Sequence, residues 1–157
     1  MASDYLLELD GIKGESSDGK HIDISSYSFG ASNPSSLRGG GSGKVVFQDF
    51  HFTKREDSTS PTLFIRCATG EPIKKATLTL RKSGDKGDAF EYLKITLEDC
   101  LVSSFAQAGD DLPPNDTPVD SFSLAFAKIK YSHFTEVPGG QATAVTVGWD
   151  LIQNKKV

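Results

Sequence analysis

A glycine-rich segment around Lys44 is the first place in the sequence where chemistry could be expected. It reads "LRGGGSGKVVFQDF" from Leu37 to Phe50. A phosphate-binding P-loop needs the pattern G-x-x-x-x-G-K-[ST] at the start of a helix. Here Arg38 stands where the first glycine is required, Val45 replaces the final hydroxyl, and a Val- and Phe-rich stretch follows. The segment therefore indicates a glycine arm between strands rather than a nucleotide site.

The histidines form neither a metal-binding nor a catalytic pattern. His21, His51 and His133 lack the spacing of paired metal ligands, and no cysteine lies near them in the sequence. Asp49 and His51 lie two apart on a predicted strand, so both side chains would face the same side of the sheet. An Asp-His pair of this kind, together with a serine, would make a catalytic triad. Because the sequence shows neither a pocket nor an oxyanion hole, we predict a polar sheet face here, with no catalytic residue, no metal and no cofactor.

Length and charge narrow the class of protein. The 157 residues suit one domain, and we predict a single domain over residues 1–157. The formal net charge of −4 leaves no basic surplus for nucleic acid or anionic lipid. The start, "MASDYLLELDGIKG", lacks the features of a signal peptide, and no segment reaches the roughly 20 apolar residues of a membrane span. We predict a protein folded in the cytoplasm, with Cys67 and Cys100 as buried free thiols.

Period-two alternation predicts strands along most of the chain. Apolar and polar side chains alternate in "DYLLELDG", "KHIDISSYSF", "KVVFQDFHF", "ATLTLRK", "EYLKITLEDCLVSSF", "DSFSLAFAKIKY" and "TAVTVGWDLI". This is the pattern of half-buried strands. In the last stretch Trp149 is in phase with Val147 and Leu151, so we interpret it as a core residue.

Four of these strands change the parity of their apolar positions partway along. The changes fall near Ser25-Ser26, Gln48-Asp49, Glu98-Asp99 and Ala127-Lys128. A one-residue slip turns every later side chain to the other face, and a β-bulge absorbs the slip by bending the strand. Long strands that bend midway are expected in a β-barrel of two packed antiparallel sheets, and we predict that mainly β fold.

One short α-helix is predicted at about residues 60–70, on the side of the barrel. In "SPTLFIRCATGE", Ser60 would cap the N-terminus, Pro61 suits the first helical position, and Gly70 suits the left-handed position after the end. The apolar stripe that faces the barrel would consist of Leu63, Phe64, Cys67 and Ala68.

The edges of the predicted sheets lack the features that usually prevent pairing with another chain. Unpaired backbone groups at a sheet edge invite pairing with another chain, yet the long strands contain no proline and few other devices that protect an edge. A protein that pairs its edges with copies of itself around a wet channel would show these features.

Several stretches resemble one family over nearly the whole chain. They are "SYSFGASNP", "GGGSGKVVFQDFHFTKREDSTSPTLFIRCATGEPIKKATLTLRK", "EYLKITLEDCLVSSF" and "VTVGWDLIQNKK". They resemble Hcp, the haemolysin-coregulated protein of bacterial type VI secretion. Residues 106–120 are the variable part and add nothing to the resemblance.

The resemblance implies a fold like that of a phage tail tube and a structural, non-enzymatic role. Six copies would close into a homo-hexameric ring, and rings would stack into an inner tube. A contractile sheath would drive this tube, tipped by a spike protein, into a neighbouring cell, and effector proteins could occupy the channel. The subunit would assemble in the cytoplasm and be secreted without a cleaved signal peptide. The alternatives are an effector-carrier or chaperone ring with little tube-building role, and a non-catalytic glycan-binding β-sandwich.

The resemblance also gives the glycine-rich segment a role as a ring-stacking arm. Glycines let an arm change course at low steric cost, while Leu37 and Arg38 would supply an apolar contact and a charge-assisted hydrogen bond. The arm consists of Leu37, Arg38, Gly39, Gly40, Gly41, Ser42 and Gly43. Strand parity predicts that Ser28 and His51 face the channel, because both alternate with core-facing aromatic residues.

Overall fold

The computed structural model describes residues 4–34, 44–83, 89–111, 117–137 and 143–157. Strands dominate this part of the chain, and one helix interrupts them. The elements are β1 (Tyr5–Leu9), β2 (Ile22–Asp23), β3 (Ser26–Ser28), β4 (Ala31–Ser32), β5 (Val46–Phe47), β6 (Phe50–Arg55), α1 (Ser60–Thr69), β7 (Ile73–Ser83), β8 (Ala89–Ala108), β9 (Val119–Ala125), β10 (Lys128–Thr135), β11 (Thr143–Asp150) and β12 (Lys155–Lys156).

Two antiparallel sheets share the long strand β8. Its first half pairs with β7 and β10, and its second half pairs with β9. The first sheet has the order β12-β11-β10-β8-β7-β1-β2, and the second has the order β8-β9-β6-β3. Strands β4 and β5 form a separate pair. The predicted mainly β fold of two packed sheets with one short helix is confirmed.

The chain crosses between the two sheets at residues 24–25. The N–H of Ile24 donates to the carbonyl of Tyr5 in the first sheet, whereas the N–H of Ser25 donates to the carbonyl of Thr53 in the second. Strands β2 and β3 are therefore consecutive parts of one segment that changes partner. Because β12, β2 and β3 each pair with only one other strand, the described strands form two sheets joined at corners and not an uninterrupted closed barrel.

The predicted parity changes coincide with breaks in regular strand geometry. Three of them fall in the short gaps between β2 and β3, between β5 and β6, and between β9 and β10. The fourth lies inside β8, where Asp99 has φ 53°, a left-handed conformation that is uncommon for a residue with a side chain. The kink at Asp99 lies where β8 leaves the first sheet and enters the second.

The core fills the space between the two sheets. Leu7, Leu78 and Ile95 come from the first sheet, Phe52 and Phe122 from the second, and all five are buried. The rings of Phe52 and Phe122 stack with their centroids 5.1 Å apart. Burial of a side chain of this size stabilises the fold by about 1.5–3 kcal/mol, so this layer accounts for much of what holds the sheets together.

Helix α1 lies where the sequence predicts it, but its N-terminal cap is different. The N-cap residue is Thr59, which makes no side-chain capping hydrogen bond. Ser60, predicted as the cap, is already helical and its side chain is buried. Gly70 has φ 72° after the last helical residue, as predicted. The Ser60 prediction is wrong because the hydroxyl is hydrogen bonded to side chains on the neighbouring strands.

The predicted apolar stripe of the helix is only partly buried. Leu63 is fully covered, Cys67 is half-buried and Ala68 is exposed. Phe64 is 58% exposed, with its ring 6.0 Å from that of Phe105 on β8. The stripe prediction is therefore wrong for Phe64 and Ala68, because the helix packs on the flank of β8 and only its Leu63 side reaches the core.

Candidate assembly surfaces

The two predicted channel residues lie side by side in the structure, whereas the predicted stacking arm at residues 37–43 lies outside the described residues. Ser28 of β3 is directly opposite His51 of β6, and His51 is directly opposite Ser123 of β9. Opposite residues on neighbouring strands point to the same side of a sheet. The three residues therefore form one row across the second sheet, on the face turned away from the phenylalanine core. Ser28 and His51 are exposed, whereas Ser123 is buried.

Hydroxyl side chains surround this row. The hydroxyl of Ser123 lies 2.7 Å from that of Ser103 and 2.5 Å from that of Ser104. Elsewhere on the same sheet the hydroxyls of Ser26 and Thr53 are 2.5 Å apart. Hydroxyls that bond one another make this face polar, and the exposed Arg55, in phase with His51 and Thr53 along β6, adds a charge at its end. The polar sheet face predicted around His51 is confirmed.

A row of apolar side chains runs outward from the core on the first sheet. Ile95 of β8 is opposite Tyr131 of β10, which is opposite Val147 of β11. The exposed fraction rises along this row from 1% at Ile95 to 36% at Tyr131 and 55% at Val147. In the neighbouring row, where the exposed His133 of β10 stands between Leu93 and Val145, it rises from 8% at Leu93 to 63% at Val145. The core-facing side of the first sheet thus extends beyond the second sheet that covers it.

We call Tyr131, Val145 and Val147 the uncovered strip. The row beside it stays covered, because Ile129 is buried and Trp149 packs against the core, as predicted. Alternation predicted the correct face for all these residues. It missed the exposure of the strip because the pattern of one strand shows which face is apolar but not how far the opposing sheet reaches.

A buried ionic network joins helix α1 to the second sheet. Lys54 Nζ lies 2.9 Å from Asp120 Oδ2 and 2.9 Å from Asp57 Oδ1, and it donates to the Ser60 hydroxyl at 3.0 Å. The Ser60 hydroxyl in turn donates to Asp120, and Gln107 Nε2 donates to Asp120 Oδ1 at 2.8 Å. The side chains of Lys54 and Asp120 have no exposed surface. The network therefore fixes the start of the helix against β6, β8 and β9.

The network keeps Asp120 ionised. Burial alone would raise the pKa of Asp120, but hydrogen bonds from Ser60 and Gln107 and the ammonium group of Lys54 outweigh it and lower this pKa below its ordinary value. The Ser60 hydroxyl accepts from Lys54 and donates to Asp120, so both partners of this hydroxyl belong to the network. The role of these residues is to position the helix.

The sequence carries a signal for this network that the strand analysis passed over. Lys54 is in phase with Phe52 along β6, and Asp120 is in phase with Phe122 along β9. Two opposite charges at core positions of two strands are unusual, because a charge is rarely buried without a partner. That pairing could have been predicted had the two strands been known to be neighbours.

A groove of about 520 Å³ lies beside the network, at the start of the helix. Its polar lining includes Glu56 and Gln107, and its apolar lining includes Phe64 and Phe105. The lining residues are Glu56, Ser60, Pro61, Phe64, Phe105, Ala106 and Gln107.

The two cysteines lie on α1 and β8. Both are free thiols, as predicted, but Cys67 is only half-buried, so the prediction that both are buried is wrong for Cys67, because the helix turns this position partly to solvent. Cys100 is buried, and burial is the main cause that raises the pKa of its thiol to about 12, so this thiol is protonated and unreactive at neutral pH. Within the described ranges, the single helix is too short and too polar for a membrane crossing.

By its fold the chain is a mainly β subunit of two sheets that share β8, with one helix packed beside that strand. Its surfaces include a hydroxyl-rich sheet face and an apolar strip that the second sheet does not cover. The family described as "Type VI secretion system effector, Hcp" matches residues 6–133. Protein hcp1 of Pseudomonas aeruginosa is 36% identical over 162 residues, which cover 98% of each chain.

Solved structures agree with this match. Hcp1 from Salmonella typhimurium is 31% identical, with a TM-score of 0.80 over 100% of both chains. A type six secretion system protein is 25% identical, with a TM-score of 0.87 over 98% of both chains. The chain belongs to the Hcp family, and it is a structural subunit of the type VI secretion tube.

Proposed function

We propose that this protein acts as a hexameric ring in which each subunit covers the uncovered strip of the next. The observation that carries the proposal is the strip itself. Tyr131, Val145 and Val147 continue the core-facing side of the first sheet, yet 36–63% of each residue is exposed. Contiguous exposed apolar side chains mark interaction sites. Full burial of an apolar side chain contributes about 1.5–3 kcal/mol, and covering the exposed part of each of these residues would contribute a corresponding fraction. A second copy of the chain is the partner that a homo-oligomeric tube supplies.

The channel of the ring is lined, in this proposal, by the row that contains Ser28 and His51. The hydroxyl-rich face around this row suits a wet lumen, since it offers many polar contacts. Effector proteins held in the channel would contact these side chains. Weak polar contacts are compatible with cargo that must be retained before delivery and released afterwards.

Stacking of rings is assigned to the arm from Leu37 to Gly43, on the basis of the family resemblance of its sequence. A ring closes by rotation, and a repeated head-to-tail contact between rings extends it into a tube. The chain would act as one domain over residues 1–157, assemble in the cytoplasm and leave through the type VI system without a cleaved signal peptide. Its further partners are the contractile sheath and the spike protein.

Native mass spectrometry of the purified protein tests the ring. The expected species has six times the subunit mass of 16.9 kDa. A subunit that remains a folded monomer at high concentration would contradict the proposal, because the uncovered strip would then have no partner in the assembly.

A further inference from the structure

The uncovered strip needs a surface that covers it, and the chain carries a second exposed apolar surface. Phe64 and Ile65 occupy consecutive positions on helix α1, and they are 58% and 52% exposed. Neither is among the residues that fill the core between the sheets. We call Phe64, Ile65 and the groove beside Phe105 the helix face. We infer that the helix face of one subunit covers the uncovered strip of its neighbour. This inference rests on the proposed ring.

Ring symmetry favours a contact between two different surfaces. A self-complementary contact between two identical strips ends at a dimer, whereas a head-to-tail contact between different surfaces continues around a ring until the rotation closes it. The strip on β10 and β11 therefore needs a different surface as its partner. The helix face satisfies this requirement, because α1 packs on β8 and the strip lies beyond β8 on other strands.

The shape of the helix face fits an apolar partner. The lining of the groove of about 520 Å³ includes Pro61, Phe64 and Phe105. This volume lies within the range of about 300–1,000 Å³ that is typical of binding pockets, so it can accept one or two side chains of a neighbour. Val147 and Tyr131 project from adjacent strands, directly opposite each other, and could enter it together.

The charges at the borders of the two surfaces are opposite. Lys156 of β12 is exposed and lies opposite Trp149 of β11, at the outer border of the row next to the strip. On the helix face, Glu56 lines the groove. Complementary charges at an interface border favour correct orientation and suppress wrong contacts. Lys156 and Glu56 are therefore the pair expected to face each other between subunits.

Cross-linking of engineered cysteines tests the contact directly. A chain with Phe64→Cys and Val147→Cys, in a Cys67→Ser background, is treated with a short bis-maleimide; Cys100 can remain because it is buried. The double variant should give a covalent ladder up to the hexamer, a mixture of the two single variants should give dimers only, and each single variant alone should give monomers. Thr146→Cys is the matched control for Val147→Cys, because Thr146 is its neighbour on the opposite face of β11, and with Phe64→Cys it should give no ladder.

The outcomes separate this inference from the proposed ring. Hexamers by native mass spectrometry without a ladder would overturn the helix-face contact and leave the ring intact, and dimers from Val147→Cys alone would show strip against strip instead. Absence of hexamers in the unaltered protein would overturn the ring itself.

A charge-reversal experiment tests the same contact without cysteines, and it applies if the cysteine variants weaken the rings. Glu56→Lys should raise the concentration at which rings dissociate at least tenfold, and adding Lys156→Glu should restore it; no recovery in the double variant would overturn the pairing.

Discussion

Lys54 and Asp120 lie directly opposite each other on β6 and β9, and their side chains meet at 2.9 Å with no exposed surface on either. The pair occupies core positions where β6 otherwise places phenylalanine and β9 places phenylalanine and leucine. Through Ser60 and Asp57 the same lysine holds the first turn of α1. The pair therefore links the stability of the second sheet to the position of the helix face, where the proposed contact between subunits lies.

Removal of one member of this pair should destabilise the subunit strongly. Lys54→Met leaves Asp120 buried without its cation, and breaking a buried pair from one side costs about 3–5 kcal/mol. Lys54→Met with Asp120→Leu should recover most of this loss, because well-packed apolar residues can replace a buried pair at little cost. Urea unfolding of a ring-deficient Val147→Lys background measures the free energy of unfolding without a contribution from assembly. A double variant as unstable as the single variant would contradict this account.

The same pair should make stability depend on acid. Because the folded-state pKa of Asp120 is lowered, its contribution to stability is fully present above the unfolded-state pKa and is lost as the pH falls through the folded-state value. We expect Asp120→Asn to be less stable than the unaltered chain at pH 7 and to lose less further stability when the pH falls from about 5 to 2. Urea unfolding midpoints measured across this pH range show how steeply stability falls with pH in the variant and in the unaltered chain. Parallel curves would show that Asp120 is not the group that titrates.

Much of the fold follows from the sequence because alternation and its interruptions are local signals. The change of parity near Asp99 predicted a bend, and the structure has a left-handed residue there, where β8 passes from one sheet to the other. The register shifts between Leu80 and Arg81 and between Val102 and Ser104 were not predicted. A shift in register depends on the partner strand, and the sequence of one strand does not identify that partner.

The assembly surfaces were harder to predict for a similar physical reason. Val145 and Val147 have the pattern of a half-buried strand, and only the limited width of the opposing sheet leaves them exposed. Ser60 has the residue type of a helix cap, yet Asp120 and Lys54 on distant strands bind its hydroxyl. Ser28 and His51 were assigned to one face by parity alone, and the structure places them opposite each other because β3 and β6 are neighbours.

A charge on the uncovered strip should abolish rings and leave the subunit folded. Val147→Lys places an ammonium group at the proposed interface, where a buried unpaired charge costs several kcal/mol. Since Val147 is 55% exposed in the subunit, its own fold should lose little stability. Native mass spectrometry should show monomers, and circular dichroism should show an unchanged β spectrum. Thr146→Lys on the opposite face of the same strand is the matched control and should keep the hexamer; loss of hexamers in both variants would point to a general effect of charge on β11.

The arm should control stacking separately from ring closure. Leu37→Asp together with Arg38→Glu removes the apolar contact and reverses the charge that the arm is proposed to carry between rings. Rings should keep the mass of six subunits, while tubes measured by electron microscopy should become shorter or disappear. Tubes of unchanged length would show that stacking depends on other surfaces.

The channel assignment predicts a defect in cargo retention without a defect in assembly. Ser28 lies opposite His51 on the polar face, so Ser28→Gln would project a longer side chain beside the imidazole and crowd any protein held against this row. We expect less effector to co-purify with the variant ring, while native mass spectrometry still shows the hexamer. Thr146→Gln, on the face of the first sheet turned away from the core, should retain effector as the unaltered ring does. Equal retention by both variants would remove Ser28 from the channel wall, since a side chain that lines a narrow lumen cannot be lengthened without contact with its contents.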